Sequence, residues 1–201
     1  MRVLPSGSRA LLLEFDTLEE VLAQYAALSE ADLPVLDIVP AGRTILVVGD
    51  RDTDLQALTG RLRSIEPGEH SGPSGSAVEV PVTYDGADLP EVAELLGCSP
   101  EELVRRHLEE EWTVAFCGFA PGFGYLTGSR FDWDTPRRPD PRTRVPAGAL
   151  GLAGEFTGVY PRESPGGWQL IGHALVEVFD LDRDPPALLT PGSAVRFVEA
   201  G

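Results

Sequence analysis

Apolar and polar positions alternate cleanly in the first third of the chain. Leu11, Leu13 and Phe15 share one face of the run from Arg9 to Phe15, which predicts a strand. Leu18, Val21, Leu22, Tyr25 and Leu28 then recur at helical spacing, with Asp16 placed to cap the helix. Val35 to Val39 and Arg43 to Val48 read as two strands joined by a turn at Pro40-Ala41-Gly42. Asp52 or Thr53 is expected to open a second helix carrying Leu55, Leu58, Leu62 and Ile65. The order β-α-β-β-α predicts a small α+β domain, ferredoxin-like or related, over residues 1–66. No chemistry shows in it, so its expected role is structural or oligomeric.

Residues 67–76 contain no aliphatic side chain and read as a linker. Beyond it, residues 77–201 open with a strand from Ala77 to Val82. Asp88 followed by Glu91 predicts a capping box, and Gly97 ends that helix. Ser99-Pro100-Glu101-Glu102 starts another, with Pro at the first helical position. From 117 to 168 regular periodicity fades. Ten Gly and seven Pro fall there, but so do eight of the 15 aromatic residues, which points to an ordered loop system on a β scaffold. Gln169 to Ile171, Ala174 to Phe179 and Ala194 to Val198 read as short strands, so this part is mostly β with a helical insert.

Charge narrows the function classes. Thirty-two acidic against 16 basic residues give a net charge of −16, which opposes wrapping of nucleic acid or adsorption to an anionic membrane. The tandem helices resemble a helix-turn-helix only in length, since the second carries Glu101, Glu102, Glu109, Glu110 and Glu111 against Arg105 and Arg106. Every basic residue is Arg, so Schiff-base, P-loop and biotin-bearing lysine chemistry is excluded. Cys98 and Cys117 support neither a zinc site nor a disulfide framework. The first residues lack the long apolar run of a signal peptide, and no stretch is long enough to span a membrane, so a soluble, cytoplasmic protein is expected.

Three segments could carry chemistry. Phe116 to Leu126 interleaves glycines with aromatics, which allows close backbone approach to a ligand between flat apolar walls; a tight loop over core aromatics explains it equally well. Arg130, Arg137, Arg138, Arg142 and Arg144 face only Asp132, Asp134 and Asp140, reversing the local sign of charge. That suits a small carboxylate or phosphate, or else internal ion pairing or an acidic partner. Glu163 to Trp168 contains Gly166-Gly167, which suits a backbone anion cradle or a turn into a strand. Among the histidines, His70 lies in the linker, His107 is expected to be half-buried and satisfied, and His173 follows Gly172 at a turn.

Pro81-Val82-Thr83-Tyr84-Asp85-Gly86-Ala87-Asp88-Leu89, the helix with His107, Gly118-Phe119-Ala120-Pro121-Gly122-Phe123-Gly124-Tyr125-Leu126, Pro136-Arg137-Arg138, Val145-Pro146-Ala147-Gly148, Gly158-Val159-Tyr160-Pro161 and Ser164 to Gly172 resemble one family in order and spacing. It is the family of the B component of bacterial 5-oxoprolinase, also called allophanate hydrolase subunit 1 or KipI. The resemblance implies a cyclophilin-like β-barrel after the small α+β domain. It implies a C-type partner chain, equivalent to carboxyltransferase subdomains A and B, and an A-type partner chain of the same oxoprolinase complex. It also implies ATP with Mg at the level of the complex, with no covalently held cofactor and no metal site in this chain. The complex would open 5-oxoproline to glutamate. The implied anion site comprises Arg137, Arg138, Arg142, Arg144, Gly166 and Gly167. Its walls would be Phe119, Pro121, Gly122, Phe123, Tyr125, Tyr160 and Trp168. His107, Arg137 and Arg138 are candidates for catalysis, with no role fixed. Members of the same family imply two alternatives: inhibition of a sensor histidine kinase, or a part in a biotin-dependent carboxyltransferase or urea amidolyase system. The chain departs from the family pattern at Leu108, Trp112, His173 and Ser193.

Overall fold

The computed structural model describes residues 1–68, 77–130 and 134–200. Residues 69–76 of the expected linker, His70 among them, and Asp132 of the Arg-rich segment lie outside the described residues. The chain forms two compact units, Met1–Gly72 and Pro73–Gly201.

The first unit is a four-stranded antiparallel sheet with two helices. Strands β1 (Arg2–Ser6), β2 (Ala10–Glu14), β3 (Asp37–Pro40) and β4 (Thr44–Val48) lie in the order β1-β2-β4-β3. β1 was not expected: Arg2 to Ser6 lacks strict alternation and contains Pro5. A proline is tolerated there because β1 is an edge strand. Leu11 and Leu13 of β2 and Ile45 and Val47 of β4 point to one face. They meet Val21 and Leu28 of α1 (Leu18–Glu30) and Leu58 and Leu62 of α2 (Leu55–Ser64). Both caps sit later than the sequence pattern placed them. Thr17, not Asp16, caps α1 through its hydroxyl, while the Asp16 amide donates to Glu20 Oε2 at 2.9 Å. Asp54, not Asp52 or Thr53, caps α2, accepting from the amides of Gln56 and Ala57.

The second unit is a closed barrel of seven strands. Its members are β5 (Val78–Thr83), β6 (Trp112–Cys117), β7 (Gly124–Thr127), β9 (Ala149–Ala153), β10 (Phe156–Val159), β12 (Gln169–Ala174) and β13 (Ala194–Glu199). They run round the barrel as β10-β7-β6-β13-β5-β12-β9. All neighbours are antiparallel except β13, which pairs with β5 in parallel, Val195 opposite Val78. A separate ribbon joins β8 (Arg142–Val145) to β11 (Ser164–Gly166). The expected strand from Ala174 to Phe179 does not form. Val178 is buried in the core without a strand partner, Leu175 is exposed, and Phe179 makes only an isolated bridge with Ala187. Helices α3 (Leu89–Leu95) and α4 (Pro100–Glu109) bury Val92, Ala93 and Leu103 in the same core as Val80, Val114, Leu150, Ile171 and Phe197. Ser99 caps α4 as its sequence predicts, accepting from the Glu102 amide. The Asp88 capping box does not form, because that carboxylate is used elsewhere.

His107 sits on α4 inside the core, wholly buried rather than half-buried, against Trp112 and Phe197. Thr157 Oγ1 donates to the Gly151 carbonyl and lies 3.0 Å from His107 Nε2; Tyr84 Oη lies 2.8 Å from Nδ1. One tautomer satisfies every group: Tyr84 donates to Nδ1, and Nε2–H donates to Thr157. Burial pushes the His107 pKa down to about 3, so the ring is neutral.

Candidate functional site

The glycine-aromatic segment folds into a tight loop between β6 and β7. Gly118 N–H bonds to Phe123 O, and Phe123 N–H to Ala120 O. Phe119 adopts φ +65°, the left-handed region that costs a side-chain-bearing residue roughly 1–2 kcal/mol. It is also 58% exposed, an aromatic ring held in water on a strained backbone. Gly122, at φ +83°, has no room for a side chain, since a Cβ there would stand 2.4 Å from that of Phe179. Replacing Phe119 by Gly should therefore give a protein about 1 kcal/mol more stable than replacement by Ala, read from urea melts. Equal midpoints would show that the loop relaxes once the ring is gone.

Under Phe119 lies a set of edge-to-face rings. Its centroid is 5.4 Å from Phe123 and 6.1 Å from Tyr160; Phe123 lies 5.2 Å from both Tyr160 and Trp168, and Tyr125 5.4 Å from Trp168. Phe116, the first residue of the glycine-aromatic segment, and Phe156, which the sequence did not single out, back Tyr125 at 4.4 and 5.7 Å. Phe119, Phe123, Tyr125, Tyr160 and Trp168 thus come together, while Pro121 sits exposed on the loop.

The Gly166-Gly167 turn and the arginine segment meet at this cluster. A Cβ on Gly166 would strike Tyr160 Oη at 2.4 Å, and Arg138 N–H donates to Gly167 O at 2.8 Å. Gly166 also pairs with Arg142 across the β8–β11 ribbon. The arginines then divide. Arg138 Nη1 and Arg142 Nη2 both donate to Asp88 Oδ1, at 2.8 and 2.7 Å, while Asp88 Oδ2 accepts from the Leu170 amide at 2.7 Å. Burial would push the Asp88 carboxyl up. The Arg142 hydrogen bond, the Leu170 amide and the charges of both arginines outweigh it, and the net direction is down. Arg144 points away into an exposed pair with Glu163, and Arg130 into one with Glu111; pairs of that kind contribute little. Arg137 is exposed, and its charge reaches both Tyr125 and Tyr160. Burial raises both phenol pKa values in spite of it, so the rings stay protonated.

The surface is an aromatic patch edged by cations. Guanidinium and protonated phenol bind and orient anions, but neither exchanges protons near neutral pH. His107 is not part of it; it lies in the barrel core with both ring nitrogens hydrogen-bonded. His173 lies on β12 beside Gly148, in the wall of a cavity of about 490 Å³ that also includes Tyr160, Glu177 and Phe179. From the sequence Asp88 reads as a helix cap, because nothing local signals arginines fifty positions away.

The family model of the carboxyltransferase domain, subdomain C and D, matches residues 1–189. The chain belongs to this carboxyltransferase subdomain C and D family. It is 43% identical, over 83% of its length and 79% of the relative's, to a protein of Escherichia coli O157:H7 named as the B component of 5-oxoprolinase. Among solved structures it is similar to TTHA0988, with TM-score 0.80 and 41% identity over 96% of this chain, which spans 40% of that one. The urea amidolyase of K. lactis shares the fold, at TM-score 0.70 and 17% identity over the whole of this chain and 16% of that one. Proteins of Haemophilus influenzae and Bacillus subtilis that carry the same name as the Escherichia coli relative are 37% and 47% identical over 88% and 60% of this chain.

Proposed function

We propose that this subdomain C and D protein is the B-type component of an ATP-dependent lactam hydrolase that opens 5-oxoproline to glutamate, active only with partner chains of the C and A types. What carries the reading is the 43% identity to a named B component of 5-oxoprolinase, in a chain whose aromatic patch is edged by arginines. 5-Oxoproline is a flat five-membered ring bearing one carboxylate. A flat apolar face with a guanidinium at its margin suits both parts of that molecule.

Hydrolysis of an unstrained lactam is slow, which is the reason to couple it to ATP. Phosphorylating the amide oxygen would convert a poor electrophile into a reactive imidate. In this scheme the chain's contribution is positional. Phe119, Phe123 and Tyr160 exclude water from one face of the ring, and Arg137 holds the carboxylate. Among the described residues no three His, Cys, Asp or Glu side chains converge as metal ligands. The reading assigns ATP–Mg to the complex, with this chain supplying guanidinium charge to it. The groups that move protons come from a partner, and the exposed Phe119 loop is the surface that meets it. No helix among the described residues is long and apolar enough to cross a membrane, and a cytoplasmic location goes with the use of ATP. A cyclophilin-like description of the barrel, and a ferredoxin-like one of the smaller unit, belong to the same proposal.

The test is oxoproline-dependent ATP hydrolysis by the chain alone and by the chain co-purified with its C-type and A-type partners. Activity is expected only in the assembled complex. Arg137→Ala, which removes an exposed side chain from the patch, should lower that turnover roughly 10- to 100-fold with an unchanged melting curve. Wild-type turnover in Arg137→Ala would remove this surface from the reaction.

A further inference from the structure

Five buried side-chain nitrogen or oxygen atoms among the described residues have no hydrogen-bond partner, and four of them fall in one place: Thr135 Oγ1, Arg138 Nε, Arg142 Nη1 and Gln169 Oε1. The four are tied together. Gln169 Nε2 donates to Pro136 O, Arg138 N–H to Gly167 O, and both guanidiniums to Asp88 Oδ1. An unpaired buried polar atom is costly, and of these four Arg138 Nε, Arg142 Nη1 and Thr135 Oγ1 can donate to an anion, whereas Gln169 Oε1 only accepts. Thr135 and Gln169 are themselves almost wholly buried. The charge is unanswered as well. Two guanidiniums share one carboxylate oxygen, Glu91 reaches Arg138 only at 4.0 Å, and a positive charge is left over beside Arg137.

We infer that Asp88 is a positioning residue: it fixes the guanidiniums of Arg138 and Arg142 side by side so that, together, they bind one anionic group, a carboxylate or a phosphoryl. The inference rests on reading this surface as an anion site and says how that site is built. Asp88 is itself held from two directions, its amide bonded to Leu170 O at 2.9 Å and its carboxylate to Leu170 N at 2.7 Å. The carboxylate is thereby fixed to β12, and the arginines inherit that placement.

Charge and position predict opposite signs for one substitution, which makes the inference testable. Asp88→Asn removes a negative charge, so long-range attraction alone would make the full chain bind anions more tightly. If Asp88 positions the pair, binding instead weakens by about 10-fold or more in spite of the added positive charge. The measurement is titration of the full-length chain with inorganic phosphate and, separately, with 5-oxoproline, following the Nε–H signals of Arg138 and Arg142 by NMR. Weaker binding in Asp88→Asn of whichever probe the wild type holds supports the inference, and equal or tighter binding overturns it. Should Asp88→Asn not fold, Arg142→Lys decides: it keeps the charge and loses the fork, and unchanged affinity overturns the inference. Binding of phosphate but not 5-oxoproline would leave Asp88 in its role and remove the oxoproline reading. Binding of neither probe at millimolar concentration overturns the anion site itself.

Discussion

Acidification from pH 6.5 to pH 4 should cost the folded chain roughly 3 kcal/mol through His107 alone. The ring is neutral in the core, with its pKa at about 3, whereas in an unfolded chain it takes a proton near 6.5. Between those values the unfolded state binds one more proton than the folded state, so stability falls as pH falls, by at most ~1.4 kcal/mol per pH unit. Above pH 6.5 the effect vanishes. Denaturation in urea at pH 7, 5.5 and 4.5 measures it, with His107→Gln as the reference in which this slope is absent. Carboxylates change charge at the lower end of the range, but they do so in both proteins and cancel in the difference. The His107 ring protons should also keep one chemical shift down to at least pH 4.5. A wild type and variant with parallel stability profiles, or a His107 midpoint above 5, would show that the ring is reached by water.

Gly86→Ala is expected to be the most damaging single-methyl change in the barrel. A Cβ at Gly86 would stand 2.2 Å from the Ile171 carbonyl carbon, 2.3 Å from Leu170 O and 2.4 Å from Gly172 N. All three are backbone atoms of β12, so no side-chain rotation gives relief and the strand itself must shift. Overpacking against movable side chains costs about 1–3 kcal/mol, and here roughly 3 kcal/mol or more is expected. The shift would also displace the Leu170 amide that holds Asp88, so anion binding should weaken along with stability. Gly60→Ala is the control. It lies within α2 with nothing inside 4 Å of the new methyl, and should stabilise by roughly 0.5–1 kcal/mol. Opposite signs for the same chemical change, read from thermal melts, would confirm that the Gly86 effect is steric.

The amphipathic elements were legible in the sequence because their signal is local. Leu11 with Leu13, Ile45 with Val47, and Leu58 with Leu62 mark their own faces, and Ser99-Pro100 marks the start of α4. Cap positions slipped by one or two residues where adjacent residues could all cap, as at Asp16 and Thr17. Val176 and Val178 alternate like a strand yet have no ladder, since burial pattern reports a buried face and not its hydrogen-bond partners. The aromatic loop could be read as a wall from Phe116 onward, but its partner Phe156 looks like an ordinary strand residue. The arginine segment was legible as a reversal of charge. Which arginines are paired inward depended on Asp88, whose sequence context is that of a helix start and whose role is set wholly by tertiary contact.

The parallel pairing of β13 with β5 fixes the order in which the barrel can be completed. Val78 and Val195 meet from opposite ends of the second unit's sequence. While the polypeptide is being synthesised, β5 and β6 therefore wait with a bare edge each until β13, the last barrel strand in chain order, has been made. Closing so long a segment is entropically slow, and unpaired strand edges invite pairing with other nascent chains. The interval before β13 arrives is when this protein has most need of a chaperone.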